Sequence, residues 1–196
     1  MVNNFKEKAN FIWQVADDIL RGTFKAHEYG DVILPFVVLR RLDQVLEQNK
    51  DEVITQYEHF RSSLDEERLD PVLNQAAGGK NFYNHSFYDL HRLTQDADNI
   101  ELNFHNYLNS YSTNVRAIIE NFRLGAIISK LAKNDLLFRL VEMFASVDLH
   151  PNHVTNHEMG YIFEELLRRF SEMSNETAGE HYTPREVIRL MVSLLL

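Results

Sequence analysis

A long apolar stretch near the N-terminus limits what this chain can fold into. Residues 32–39 are apolar on all sides, and the pattern continues through Leu42, Val45 and Leu46. A buried strand is one alternative, because the stretch is rich in valine. We predict a buried helix, since the pattern extends to a helical length. Pro35 would then lie in the first turn of that helix or at a kink.

The first twenty residues predict an amphipathic helix. Its apolar residues recur every three or four positions, and Gly22, directly after Arg21, is a plausible C-terminal stop. Trp13 could be a platform for a stacked base, but its place on the apolar stripe favours a role in the core. The apolar residues are Phe5, Ala9, Ile12, Trp13, Ala16, Ile19 and Leu20.

Helical patterns continue to about residue 150, which predicts an all-α fold. Asn134 or Asp135 is expected to cap the last helix of this part. Gly78, Gly79 and Lys80 could suggest a phosphate loop, but they lack the spacing of one and predict a plain turn. The aromatic-rich residues 81–90 could stack on unpaired bases, yet they contain no basic residue and favour a loop packed on the helices. The remaining patterns cover residues 64–73, 102–111, 115–122, 127–131 and 136–144.

Acidic residues outnumber basic ones, with a formal net charge of -9. DNA affinity is carried by Lys and Arg that neutralise phosphates, so this charge argues against a surface that binds DNA throughout. The acid is concentrated in residues 51–100, which hold ten carboxylates against four basic residues. A DNA-facing surface is therefore expected to be local and outside this acidic middle. Arg40 and Arg41 could touch phosphates, although a role in satisfying backbone carbonyls is favoured for at least one of them.

The cysteine and histidine content narrows the chemistry and the compartment. No cysteine is present, which excludes disulfides, thiolate metal sites and a cysteine nucleophile. His150, His153 and His157 are closely spaced, but Pro151 and a predicted N-cap at Asn156 separate them, so no metal site is predicted. There is no signal-peptide core and no apolar run long enough for a bilayer, so we expect a cytoplasmic protein without a membrane partner.

Residues 179–192, GEHYTPREVIRLMV, carry strong helix-start signals. Thr183 fits the N-cap and Pro184 the first helical position, while Glu186 completes a capping box. The free N–H groups and positive dipole end of such a helix can receive a carboxylate or a phosphate. An ordinary capped helix is the simpler interpretation of these residues alone.

Three stretches resemble one family of enzymes. Residues 179–185 are similar to the segment that opens the catalytic domain of N6-adenine DNA methyltransferases, and more narrowly of the modification subunit of type I restriction-modification systems. Residues 11–47, with their Asp-Ile-Leu-Arg-Gly element and arginine pair, resemble the N-terminal helical domain of that subunit. Residues 160–167 resemble the helix that leads into its cofactor segment.

The resemblance implies a cofactor, a substrate and partners. The cofactor would be S-adenosylmethionine, and the substrate adenine N6 in DNA, with the target base extruded from the duplex. The family has a separate specificity subunit and a restriction subunit, and self-association is possible. At the position of His181 the family most often has an aromatic residue. The cofactor-binding residues carried over from the family are Glu180, His181, Tyr182, Thr183, Pro184 and Arg185.

The family's reaction needs a glycine-containing cofactor loop and an Asn/Asp-Pro-Pro-aromatic motif, and neither occurs in these residues. We therefore expect no catalytic residue here and a fragment that is inactive alone. We predict an N-terminal helical domain over residues 1–152 and the helical lead-in to an α/β methyltransferase domain over residues 153–196. The alternatives are a non-enzymatic helical interaction module and the front end of a single-chain bifunctional restriction-methylation enzyme.

Overall fold

The computed structural model describes residues 4–173, 187–188 and 191–193. Across these ranges β pairing is limited to two isolated bridges, so the predicted all-α fold is confirmed. None of the described helices is both long and apolar enough to cross a bilayer. The helices are α1 (Asn4–Leu20), α2 (Tyr29–Leu46), α3 (Lys50–Phe60), α4 (Glu66–Ala76), α5 (Leu90–Leu93), α6 (Ile100–Asn109), α7 (Thr113–Asn121), α8 (Leu124–Lys133), α9 (Leu137–Ser146) and α10 (Asn156–Met173), with 3-10 turns at Ala26–Glu28 and Glu47–Asn49.

Contacts between Cα atoms group the chain into two compact units. One is Val32–His153, and the other combines the described parts of Met1–Asp31 and Val154–Leu196. The first helix is thus grouped with α10, because these two helices pack against each other. The units therefore do not follow the order of the chain.

The helices α1 and α10 meet through aromatic side chains. The Phe5 ring stacks on Tyr161 with centroids 5.1 Å apart, and the Trp13 ring lies 5.3 Å from that of Phe170. Trp13 therefore has the packing role that its position on the apolar stripe predicts. Gly22 follows α1 and is the predicted stop of that helix. Its φ of 86° is a backbone conformation that residues with side chains rarely adopt.

The helix α2 lies in the core of the unit Val32–His153. Its predicted helical form is confirmed, and Pro35 lies inside the helix beyond its first turn. Phe36 is fully buried, with its ring 5.2 Å from that of Phe144 and 5.6 Å from that of Phe104. The all-round apolar pattern therefore reflects a helix that is buried on more than one side.

The predicted N-cap of α9, at Asn134 or Asp135, is wrong. Asn134 instead ends α8, where its Nδ2 donates to the Lys130 carbonyl at 2.7 Å, and α9 begins at Leu137 without a side-chain cap. Asp135 has a positive φ of 58°, so the chain leaves α8 in a left-handed turn before α9 starts.

The cap of α10 lies one residue before the predicted position. The Thr155 hydroxyl accepts from the Glu158 N–H at 3.2 Å, and the Glu158 carboxylate accepts from the Thr155 N–H at 2.8 Å. This is a capping box, and its Thr-x-x-Glu signature is visible in the sequence.

Candidate functional site

The predicted cofactor segment, residues 180–185, lies outside the residues that the structure describes. The same holds for the predicted capping box of Thr183 and Glu186. The described residues that follow, Val187, Ile188 and residues 191–193, are helical and exposed. The assignment of Glu180, His181, Tyr182, Thr183, Pro184 and Arg185 to a cofactor site therefore stays a prediction.

The arginine pair on α2 binds backbone carbonyls of a distant segment. Arg40 Nε donates to the Val147 carbonyl at 2.7 Å, and Arg41 donates to the Leu149 carbonyl. Partial burial lowers the pKa of Arg41. The favoured interpretation of the pair, carbonyl satisfaction, is thus confirmed for both residues.

Sequence reasoning missed a third member of this contact, Gln44. Its side-chain oxygen accepts from the Leu149 N–H at 2.7 Å. Together Arg40, Arg41 and Gln44 hold residues 147–149 against one side of α2. The only sequence signal was the position of Gln44 four residues after Arg40, which places both on one helix face.

Burial shifts the pKa values of several side chains in a polar cluster at Asp43. Asp43 Oδ1 accepts from the Tyr107 hydroxyl at 2.7 Å, and Asp43 Oδ2 accepts from the Leu90 N–H at 2.8 Å. The hydroxyls of Tyr107 and Tyr111 lie 2.6 Å apart. Burial raises the pKa of the Asp43 carboxyl to about 6, while the hydrogen bonds from Leu90 and Tyr107 and the charge of Lys50 oppose the rise.

Lys50 is the counter-charge of this cluster. It is only 8% exposed, and its Nζ donates to the Tyr88 carbonyl at 2.6 Å. Burial lowers the pKa of the Lys50 ammonium to about 8, against the opposing effect of Asp43 and then Asp89. Neither Asp43 nor Lys50 is predicted from the sequence to belong to a buried cluster, because a charged residue carries no local signal of burial.

The cluster borders a cavity of about 420 Å³ that is lined by both acidic and basic side chains. Its lining holds three basic and four acidic side chains: Arg40, Lys50 and Arg92, and Asp43, Glu47, Asp51 and Asp89. These groups neutralise one another, so the cavity has no dominant charge that would select an ion. Its role on this geometry is structural: Asp43 ties the start of α5 and Tyr107 of α6 to α2.

The two other candidate binding segments, residues 78–80 and residues 81–90, have structural roles. Gly78 and Gly79 have positive φ values after α4, and Lys80 Nζ donates to the Ala77 carbonyl at 2.8 Å, so this is a turn. The following loop packs on the helices, since Asn84 is buried and donates to the Tyr107 carbonyl at 2.9 Å. His85 stacks on Tyr57 with ring centroids 3.8 Å apart, and partial burial lowers the pKa of His85 to about 4.

The described residues contain no group of three His, Asp or Glu side chains placed to hold a metal ion. His153 Nδ1 lies 2.9 Å from Asp148 Oδ2, and the His150 N–H donates to Asp148 Oδ1 at 3.0 Å. These contacts close a polar turn after α9. His157 stacks edge-on against Tyr161 within α10, at 4.8 Å.

Comparison with known proteins matches most of the chain to one family. Residues 8–144 match the family described as HsdM N-terminal domain, and residues 154–196 match the family described as N-6 DNA Methylase. The type I restriction enzyme MjaIX methylase subunit of Methanocaldococcus jannaschii is 26% identical over 206 residues. That alignment covers 96% of this chain but 35% of the relative.

The chain thus spans about a third of the length of the curated relative that it matches. No solved structure matches it. The first family match runs through α1 to α9, the helices that carry the arginine contacts and the Asp43 cluster. It covers well over half of the sequence, and the chain therefore belongs to the HsdM N-terminal domain family.

Proposed function

We propose that this chain is the N-terminal part of the methyltransferase subunit of a type I restriction-modification system. The intact subunit would transfer a methyl group from S-adenosylmethionine to adenine N6 in DNA, in the cytoplasm. The observation that carries the proposal is the order of two family matches, the HsdM N-terminal domain followed directly by N-6 DNA Methylase. A relative named as a type I methylase subunit supports it over almost the whole chain.

The two parts of the chain would have different tasks. Residues 153–196 would lead into the methyltransferase domain, with Glu180, His181, Tyr182, Thr183, Pro184 and Arg185 beside the cofactor. A capped helix start at Thr183 would offer its free N–H groups to the carboxylate of S-adenosylmethionine. The chemistry that the cofactor supplies is the transferable methyl group.

Residues 1–152 would serve contact with DNA and with the specificity and restriction subunits. Subunit contact is the better supported half, because the acidic surface repels phosphates. The two arginines that were candidates for phosphate contact donate to carbonyls of the same chain. Any DNA contact would use other basic residues, outside residues 51–100.

The test uses the intact subunit that contains this sequence, purified with its specificity subunit. Incubation with labelled S-adenosylmethionine and duplex DNA should yield 6-methyladenine, identified by mass spectrometry of the digested DNA. Thr183→Ala should weaken cofactor binding about five- to tenfold, equivalent to the loss of one helix cap of ~1 kcal/mol. Thr55→Ala, which removes a threonine hydroxyl from the middle of α3, is the matched control.

Two results would contradict the proposal. Methylation of cytosine, or no methylation of any duplex, would rule out the reaction. Unchanged cofactor affinity in Thr183→Ala together with Arg185→Ala would leave the reaction standing but remove residues 180–185 from the cofactor site.

A further inference from the structure

An apolar groove lies between α2 and α7 in the unit Val32–His153. Its volume is about 250 Å³, and among the described residues that line it Asn114 is the only polar one. Each wall is a helical stripe with spacings of three and four, and the stripe of α7 continues onto its C-cap. The lining side chains that form the two stripes are Pro35, Val38 and Leu42 on α2 and Val115, Ile118 and Phe122 on α7.

The α7 side of the groove is open to solvent. Ile118 is 52% exposed and Phe122 is 43% exposed, although both are large apolar residues. One such residue on a surface is ordinary, but here two neighbours on one helix turn border the same concave apolar surface. Paired helical stripes with a gap between them have the geometry that accepts an amphipathic helix.

The segment that carries the α7 side of the groove is basic in sequence, in contrast to residues 51–100. Residues 113–139 hold five basic side chains and two acidic ones, whereas residues 51–100 hold ten acidic side chains and four basic ones. Arg123 is exposed and follows Phe122 directly, at the junction of α7 and α8. Lys130 and Lys133 lie in the last turn of α8.

The backbone conformation of Arg123 is unfavourable for a residue with a side chain. Its φ is 52° and its ψ is 34°, the left-handed region that favours glycine. An arginine at this position costs conformational energy that a glycine would avoid. An arginine thus stands between the lining residues Phe122 and Leu124 in the sequence, at the expense of stability.

We propose that this groove is the docking site for an amphipathic helix of another subunit, with apolar residues at spacings of three and four and carboxylates along its flank. The inference rests on the proposed function, which makes this chain one subunit of an assembly. The apolar lining would take the partner's aliphatic side chains, and Arg123, which stands between two lining residues in the sequence, would face its carboxylates. DNA is the less suitable occupant, because phosphates and sugars gain nothing from an apolar floor.

The groove is a local anchor rather than a complete interface. Stable interfaces bury about 800 Å² on each partner, with a few central residues carrying most of the affinity. Ile118 and Phe122 are placed to be two of these central residues. Their substitution should therefore have a far larger effect than that of an equally exposed apolar residue elsewhere.

The experiment measures binding of the intact subunit to its purified specificity subunit, by light scattering and by titration. Ile118→Asp and Phe122→Asp should each weaken the complex by about a hundredfold or more, as expected for central interface residues. Leu102→Asp is the matched control, because Leu102 is 70% exposed on α6 and does not line the groove. Circular dichroism of each variant checks that its helices remain.

Arg123 provides a second, independent readout. Arg123→Gly should raise the melting temperature of the free subunit and weaken the complex about tenfold, since it relieves the left-handed backbone but removes the charge. Asp135→Gly removes a comparable left-handed residue, at φ 58°, that does not line the groove. It should raise the melting temperature and leave the affinity unchanged.

The outcomes separate the docking site from the function on which it rests. Normal assembly of Ile118→Asp and Phe122→Asp would overturn the docking site and leave the proposed function intact. Failure of the unsubstituted subunit to assemble would overturn both. Normal assembly combined with weaker DNA binding in Phe122→Asp and Arg123→Gly would overturn the docking site in favour of a nucleic-acid surface.

Discussion

At the scale of single residues, the most informative feature is the charged cluster at Asp43, in the unit Val32–His153. Asp43 receives hydrogen bonds from Tyr107 and from the Leu90 N–H, and Lys50 opposes its charge at a distance. A buried carboxylate costs stability unless hydrogen bonds and a nearby opposite charge compensate for its desolvation, so losing that charge is costly. The cluster therefore makes the fold sensitive to single substitutions.

Lys50→Met tests this sensitivity. It should lower the free energy of unfolding at pH 7 by about 2–4 kcal/mol, because it leaves the Asp43 carboxylate without its counter-charge. This expected loss is smaller than that for breaking a fully buried ion pair, since the Asp43 side chain is half-buried and borders the cavity. Urea denaturation followed by circular dichroism measures the loss, and Lys133→Met at the exposed end of α8 should show none.

The loss should depend on pH, with a sign set by Asp43. The folded-state pKa of this carboxyl is about 6, above its ordinary value of 3.8, so its charge costs stability as the pH rises through 6. Lys50 reduces that cost, and its removal raises the pKa of Asp43 further. The destabilisation by Lys50→Met should thus be smaller at pH 5, where Asp43 is protonated. A loss that is equal at pH 5 and pH 7 would show that Lys50 acts only by packing and by its bond to the Tyr88 carbonyl.

At the scale of elements, α10 shows how strictly local signals decide where a helix begins. The side chains of Thr155 and Glu158 each accept a hydrogen bond from the other's backbone N–H. The hydrogen bond from the Thr155 N–H is the main reason that the pKa of Glu158 is lowered. Asn156 is also a good capping residue, but it has no acidic residue three positions later. The reciprocal pair therefore decides between two adjacent candidates.

Thr155→Ala should lower the free energy of unfolding by about 1 kcal/mol, the usual cost of losing an N-cap. Trp13 is the only tryptophan of the chain and packs on Phe170 of α10, so its fluorescence reports on this helix directly. Thr55→Ala should not destabilise, because that hydroxyl only bonds back to the Asp51 carbonyl within α3. A larger effect for Asn156→Ala than for Thr155→Ala would return the cap to Asn156.

At the scale of the whole molecule, the chain makes two compact units from three segments. The first helix, α1, packs on α10, which follows the larger unit in the sequence. It is therefore grouped with α10 and not with the helices that follow it directly in the chain. Phe170 is central to this contact, since it meets Trp13 and also lies 3.4 Å from the position of a Cβ at Gly30. At this distance a Cβ at residue 30 would be in van der Waals contact with the Phe170 ring.

Phe170→Ala should raise hydrogen exchange most in α1 and α10. Removing a buried phenylalanine costs about 3–5 kcal/mol, and the loss should appear first in the helices that pack on it. Phe144→Ala, at the core contact with Phe36, is the matched control and should raise exchange most in α2 and α9. Equal changes in all helices for both variants would mean that the two units unfold as one.

The sequence by itself determined the class of the fold, the helical form of residues 32–46 and the family of the chain. These depend on local periodicity and on motifs, which are complete within a few turns of helix. Tertiary structure alone decided the partners of Arg40, Asp43 and Lys50, because they lie far along the chain. Arg40 and Val147, for example, are 107 residues apart. It also decided which helices share a unit, since an apolar stripe shows that a helix packs but not on which neighbour.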